Sequence, residues 1–229
     1  EPMNDALLNI LVITVTLILI AGIFIFVNRR KQAQELQIKQ LADEHGWQVF
    51  FISENLRSGF VITNSTWRFE STATSSGRES GPGSTDVSLR TTWTTSLPGS
   101  PVYIGSKTTG AGVRGLTGST AQALFQFATG LAMQNLSESQ VGSSRLHERF
   151  SIWAQDDSVA AQLLTPEVES SLLAWTGMPL LIRQDANGLA VEINGFQGKK
   201  PDEILPIIQL GQALSARRQT ENAIIETEP

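Results

Sequence analysis

The stretch ALLNILVITVTLILIAGIFIFV, Ala6 to Val27, decides how the chain is organised, and Asn28-Arg29-Arg30-Lys31 follows it at once. Its 22 residues carry no charge. At about 1.5 Å per residue they reach roughly 33 Å as a helix, enough to cross a hydrocarbon core of about 30 Å. We read one spanning helix. A cleaved signal peptide is the rival, but it calls for a basic segment, a shorter apolar run and a small-x-small exit. Here Glu1, Pro2, Asn4 and Asp5 precede the run, and Phe26-Val27-Asn28 ends it.

Charge sets the expected orientation. Every basic residue lies after the span, while the tail 1–5 carries only acids, so the positive-inside rule places the C-terminal bulk in the cytoplasm and the N-terminus outside. Met3 is a candidate natural start. Within the span Asn9, Thr14, Thr16 and the small pair Ala21-Gly22 are the positions where another membrane helix would pack closely.

Beyond residue 27 the chain carries 17 basic and 20 acidic residues, a net charge of −3. This mildly acidic balance gives no footprint for nucleic acid. The absence of cysteine excludes disulfides, thiolate catalysis and cysteine-held zinc or iron–sulfur centres.

From 28 to 45 the composition turns to good helix formers with no Gly or Pro, which predicts a stalk continuing the membrane helix. Two apolar lines are open on it: Ala33, Leu36, Gln40 and Leu41, or Ile38, Leu41, Ala42 and His45. Neither is long enough to establish a coiled coil, and a solvated linker helix whose last turn docks on the domain is the simpler expectation.

The period changes to that of strands at Gly46. Residues 47–52, 60–63, 66–71, 86–94 and 102–104 read as antiparallel strands with one buried face, on which Trp67 and Trp93 are placed to pair. Ser75 to Ser84 lacks apolar anchors and reads as an exposed loop. A helix is expected from about Ser119 to Leu136. No charge occurs between Arg114 and Glu138, and Leu124, Phe125, Phe127, Leu131 and Leu136 cover more than half the circumference. Such a helix is buried between the lobes or meets a partner protein or the membrane surface.

In the remainder, 149–154 reads as a strand, Asp157 or Ser158 as the cap of a short helix to Leu164, and Thr165-Pro166-Glu167 as a strong helix start. Residues 180–184 and 189–193 form a hairpin turned at Asn187-Gly188. Pro201-Asp202-Glu203 opens a last helix through about Gln219. The expected class is α+β: tail 1–5, span 6–27, stalk 28–45, a first lobe 46–136, a second lobe 137–220 and a tail 221–229.

Within the second lobe, ERFSIWAQDDSVAAQLLTPEVESSLLAW, Glu148 to Trp175, has Phe150, Asp156 or Asp157, the small pair Ala160-Ala161 and Leu163-Leu164-Thr165-Pro166 in order. This block resembles bacterial membrane-associated proteins grouped as the domain of unknown function DUF3137 and its looser relatives. Gly46-Trp47 and the Ser-rich loop of the first lobe add to the likeness. The resemblance implies a membrane-anchored α+β domain of bacterial type and brings no activity or catalytic residue with it.

Chemistry-bearing patterns are few. Gly110-Ala111-Gly112-Val113-Arg114-Gly115 matches G-x-G-x-x-G, but a dinucleotide fold wants those glycines directly between a buried parallel strand and a helix, with an acid ending the next strand. Tyr103-Ile104 is too short and polar for that strand, so a linker is the better reading. His45 and His147 are the only histidines, and their isolation excludes a histidine-rich metal site. Asp156-Asp157 is a candidate cation site or acid–base pair, although a cap with a dipole partner explains it as well. No catalytic, cofactor-binding or metal-binding residue is assigned, and no cofactor is expected. The chain reads as a non-enzymatic accessory or scaffold subunit of a bacterial inner-membrane complex, with a ligand-sensing module as the alternative and an enzyme third. Expected partners are the lipid bilayer and an integral membrane protein or a second copy, with no nucleic acid. The candidate contacts are Asn9, Thr14, Thr16, Gly22, Leu124, Phe125, Phe127 and Leu131.

Overall fold

A computed structural model describes residues 2–76, 86–107 and 135–225. Helix α1, Pro2–Glu44, is continuous from the apolar run through the stalk. It is the one described helix long and apolar enough to cross a membrane, and the side chains from Leu11 to Val27 are exposed. Its last turns behave differently. Ile38, Leu41 and Ala42 are buried in the domain core while Leu36 is exposed, so the second apolar line is the docking one. The helix ends where Gly46 takes a positive φ of 67° and Trp47 N–H reaches back to the Ala42 carbonyl at 2.8 Å. His45 bonds the Leu41 carbonyl and stacks on Trp47, which makes it a helix-end residue.

The strands are β1 Gln48–Ser53, β2 Arg57–Thr63, β3 Trp67–Ser76, β4 Asp86–Thr95, β5 Val102–Ser106, β6 Ser137–Glu138, β7 Phe150–Ala154, β8 Leu181–Asp185 and β9 Gly188–Asn194. They form one antiparallel sheet in the order β1-β2-β3-β4-β9-β8-β5-β7-β6. The helices are α2 Ser144–Arg149, α3 Asp157–Leu163, α4 Pro166–Ala174 and α5 Pro201–Ile225. The architecture is α+β with a single candidate span.

One register row explains the sheet. Val49, Ile62, Phe69, Trp93, Val191, Ile182, Ile104 and Ile152 lie side by side across consecutive strands, and all but Val49 are fully buried. With a side-chain period of two, this row fixes which face of every strand is covered. Ile204, Ile207, Ile208, Leu210 and Leu214 of α5, Val168 and Leu172 of α4, and the end of α1 complete the core. The paired tryptophans are there, Trp67 and Trp93 with centroids 6.4 Å apart and Trp47 edge-on to Trp67 at 5.1 Å.

The division into two lobes changes at the sheet. Strands from both parts interleave: β4 pairs with β9, Arg90↔Asn194 through Thr95↔Leu189, and β5 of the first part lies between β8 and β7 of the second. Neither β4 nor β9 can end a sheet without exposing Trp93 or Val191, and the strands of both parts make one sheet. Local boundaries also move: β2 begins at Arg57 rather than 60, and β3 runs on to Ser76 rather than ending at 71. The cap of α3 is Asp156, one residue before the expected position, because its carboxylate accepts from Val159 N–H. Residues 144–149 form α2, capped by Ser143, ahead of the strand. Helix α5 continues to Ile225 rather than stopping near Gln219.

The other face of the sheet carries ion pairs. Glu70 bonds Arg57 and, at 2.9 Å, Arg68; Glu192 meets Arg90 at 2.8 Å and Arg183 at 3.6 Å. Half-exposed pairs of this kind add at most about 1 kcal/mol each. They specify the solvent side more than they stabilise it.

Candidate functional site

A concave region lies between the end of α4 and the start of α5. It is a groove of 640 Å³ walled by Trp175, Met178, Ile193, Phe196, Pro206 and Leu210, with Asp202, Glu203 and Gln209 at its polar rim. This volume falls in the range of small-molecule sites, about 300–1,000 Å³.

Three local devices shape it. Thr165 caps α4 through its hydroxyl, and Pro166 opens the helix, as the sequence requires. At the far end Arg149 donates to the carbonyls of Leu173 and Trp175, closing the helix terminus with a cation where carbonyls lack partners. Trp175 then folds over Gly177, where a Cβ would sit 2.7 Å from Cζ2, and its indole N–H donates to the Met178 carbonyl at 2.9 Å. The turn 175–178 is therefore tied at both ends.

The opposite wall is pinned by two buried hydroxyls. Ser71 Oγ donates to the Gly198 carbonyl at 3.0 Å, Thr91 Oγ1 donates to the Phe196 carbonyl at 3.0 Å, and Gly198 N–H donates back to Thr91 Oγ1 at 3.3 Å. Both hydroxyls are in the core and fully covered. They convert an irregular loop into a fixed wall by giving its backbone groups partners. Glu203 accepts from the backbone N–H groups of Lys199 and Lys200, which completes the start of α5. The groove offers apolar walls and a carboxylate mouth, so it suits an apolar group with a basic or hydrogen-bond-donating flank.

Nearby carboxylates serve structure. Hydrogen bonds from the Ser158 hydroxyl and then the Val159 N–H hold Asp156 below its ordinary pKa. Asp157 accepts from Ser139 Oγ at 2.6 Å. The pair thus divides into a cap and a tie to the segment before α2. The Ser143 hydroxyl and backbone N–H hold Glu169 low in the same way. His147 bonds the Val141 carbonyl at 3.0 Å. Among the described residues no group of three His, Asp or Glu side chains is placed to hold a metal ion.

The other candidates scatter. Thr14 and Thr16 are exposed on α1, and the Thr16 hydroxyl donates to the Val12 carbonyl at 2.8 Å, so it is already engaged within its own helix. Gly22 lies on the exposed run of α1, away from the domain. Asn9 is on α1, with its side chain outside the described residues. Leu124, Phe125, Phe127 and Leu131, like the 110–115 glycine motif and the 77–84 part of the Ser-rich loop, lie outside the described residues. Sequence reasoning missed Arg149, Ser71, Thr91 and the groove itself. Only the apolar Trp175 and Met178 flanking Gly177 just after a helix gave a signal.

Fold and site define an antiparallel α+β domain carried on one candidate transmembrane helix. No family model, curated protein or solved structure matches the chain. The DUF3137 resemblance expected for Glu148 to Trp175 gains no support from them.

Proposed function

We propose that the chain is a non-enzymatic accessory or scaffold subunit of a bacterial membrane complex, anchored in the inner membrane by α1, with the N-terminus outside and the α+β domain in the cytoplasm. One observation carries the reading: the anchor helix does not end in a loose tether but runs on until Ile38, Leu41 and Ala42 are part of the domain core. A helix shared by span and core holds the domain at a set height and rotation, which suits a part that positions others. The basic run Arg29-Arg30-Lys31 directly after the span supports the orientation. An integral membrane protein, or a second copy, would pack along the side of α1 that carries Thr14 and Gly22, about 80° apart on the helix.

Purification of the full chain from its native membrane in mild detergent tests this. A stoichiometric partner or a defined homo-oligomer, lost when residues 6–27 are replaced by polyleucine, is expected. A monomer under every condition would contradict it.

The groove favours a second reading, a ligand-sensing module. A metabolite that raises the melting temperature of the full chain in detergent, and fails to do so in Trp175→Ala, would replace the scaffold reading.

A further inference from the structure

The direction of β1 relative to α1 places one end of the sheet against the bilayer. Glu44 is 17 residues beyond Val27, so α1 carries the chain about 25 Å above the end of the apolar run. Trp47 turns back onto Ala42, and the six residues of β1 then descend beside the helix, a drop of about 17–20 Å. The turn between β1 and β2 therefore arrives about 5–8 Å above Val27, the depth of the headgroup layer.

The contacts agree with that path. A cleft of 210 Å³ is lined by Lys31, Glu35 and Ile38 of α1 together with Phe51, Ile52, Ser58 and Phe60 of the hairpin and Lys199 of the loop after β9. Exposed apolar side chains gather at the same end. Leu56 in the turn is 54% exposed and Val87 at the start of β4 is 56% exposed. They are neighbours, since Ser75, the partner of Val87, donates its N–H to the Leu56 carbonyl. Lys31 is shared with Glu35 at 3.7 Å, whereas Lys199 has no ion-pair partner among the described residues.

We propose that this end of the domain docks on the surface of the bilayer that holds α1. Leu56 and Val87 enter the headgroup layer, and the cleft between Lys31 and Lys199 takes the phosphate of an anionic phospholipid. The inference rests on the reading of α1 as a membrane span. It gives the bilayer a second contact with the chain, one that depends on lipid charge.

The cysteine-free sequence allows a direct test. Full-length Leu56→Cys, Asn187→Cys and Ile18→Cys are each labelled with an environment-sensitive fluorophore and reconstituted in phosphatidylcholine, with or without phosphatidylglycerol. Nitroxide lipids labelled at the headgroup or mid-chain then act as quenchers. The Leu56 label is expected to be quenched by the headgroup nitroxide, more strongly with phosphatidylglycerol, while Asn187, at the far hairpin, is not. Lys199→Gln should reduce the dependence on phosphatidylglycerol by about fivefold, the factor of one lysine at an anionic surface. An unquenched Leu56 label beside an Ile18 label quenched at mid-chain overturns the docking and leaves the span intact. An Ile18 label that mid-chain nitroxide does not reach removes the span and the docking together. Quenching indifferent to phosphatidylglycerol overturns the anionic-lipid site, and a Leu56 label equally shielded in lipid-free detergent assigns the surface to a second copy instead.

Discussion

Gly211 of α5 lies flat on the indole of Trp93 in β4: a Cβ at Gly211 would come within 2.2 Å of Trp93 Cδ2. Trp93 is fully buried at the centre of the sheet row, so it cannot yield. Gly211 is what lets the helix approach the sheet closely enough to seal the core. Gly211→Ala is expected to cost about 1–3 kcal/mol through overpacking. Thermal unfolding of the full chain in detergent, followed by tryptophan fluorescence, checks it. Adding Trp93→Leu should recover part of the loss, and a silent Gly211→Ala would show that the helix stands further off.

The core end of the anchor should behave as part of the domain. Ile38→Ala removes a side chain that is 1% exposed, for an expected loss of about 2–5 kcal/mol. The melting temperature should fall accordingly, whereas Leu36→Ala on the exposed side should leave it unchanged.

Thr91→Val keeps the shape of the side chain and deletes the hydroxyl that holds Phe196 and Gly198. Leaving those backbone groups unsatisfied is expected to cost about 1–3 kcal/mol. Hydrogen exchange measured by mass spectrometry should quicken across 195–200 and spare β4.

Arg149 bonds two carbonyls at once, a task the single ammonium of lysine does not reproduce. Arg149→Lys should therefore speed hydrogen exchange at Thr176–Met178 while leaving the sheet protected. Protection equal to wild type would mean that Trp175 alone fixes the turn.

Partial burial pushes Glu70 upward in pKa, but the hydrogen bonds from Arg68 and Arg57 outweigh it and hold the carboxyl below its ordinary value. A depressed folded-state pKa stabilises fully above the unfolded value, near 4.3–4.5, and the contribution disappears as pH falls through the folded value. Glu70→Gln should cost about 0.5–1 kcal/mol at neutral pH, given the exposure of both arginines. The gap between variant and wild type should begin to close below the unfolded value and vanish in acid melts once pH passes below the lowered folded value. A gap that persists there would exclude the ion pairs as its cause.

Much of this architecture was legible where the signal is local. The uncharged run, the Thr165-Pro166 start, the β8–β9 hairpin and the alternation of β3 and β4 each depend on neighbours a few positions apart, and each is found. That hairpin turns one residue earlier than expected: Asp185 pairs with Gly188, so Ala186 and Asn187 make the turn, and of Asn187 and Gly188 only Gly188 has a positive φ, 136°. The joining of β4 to β9 was not legible, because Arg90 and Glu192 are 102 positions apart and no local pattern announces their pairing. Helix α2 is only six residues long, too short for periodicity. Ser71, Thr91 and Arg149 act on backbone carbonyls, which every residue has, so their partners leave no mark in the sequence. The stalk shows both cases at once: its helix was plain, but which of two apolar lines docks depended on where β1 lies.

The claim that span and domain form one mechanical unit is tested most directly by a distance across them. Spin labels at Ile18→Cys and Asn187→Cys, in the full chain reconstituted in nanodiscs, report it by pulsed electron resonance. A single narrow distribution is predicted, broadening when Ile38 and Ala42 are both replaced by Ser. A broad or multiple distribution in the otherwise unaltered chain would mean that the domain swings freely on its anchor, and would contradict the account.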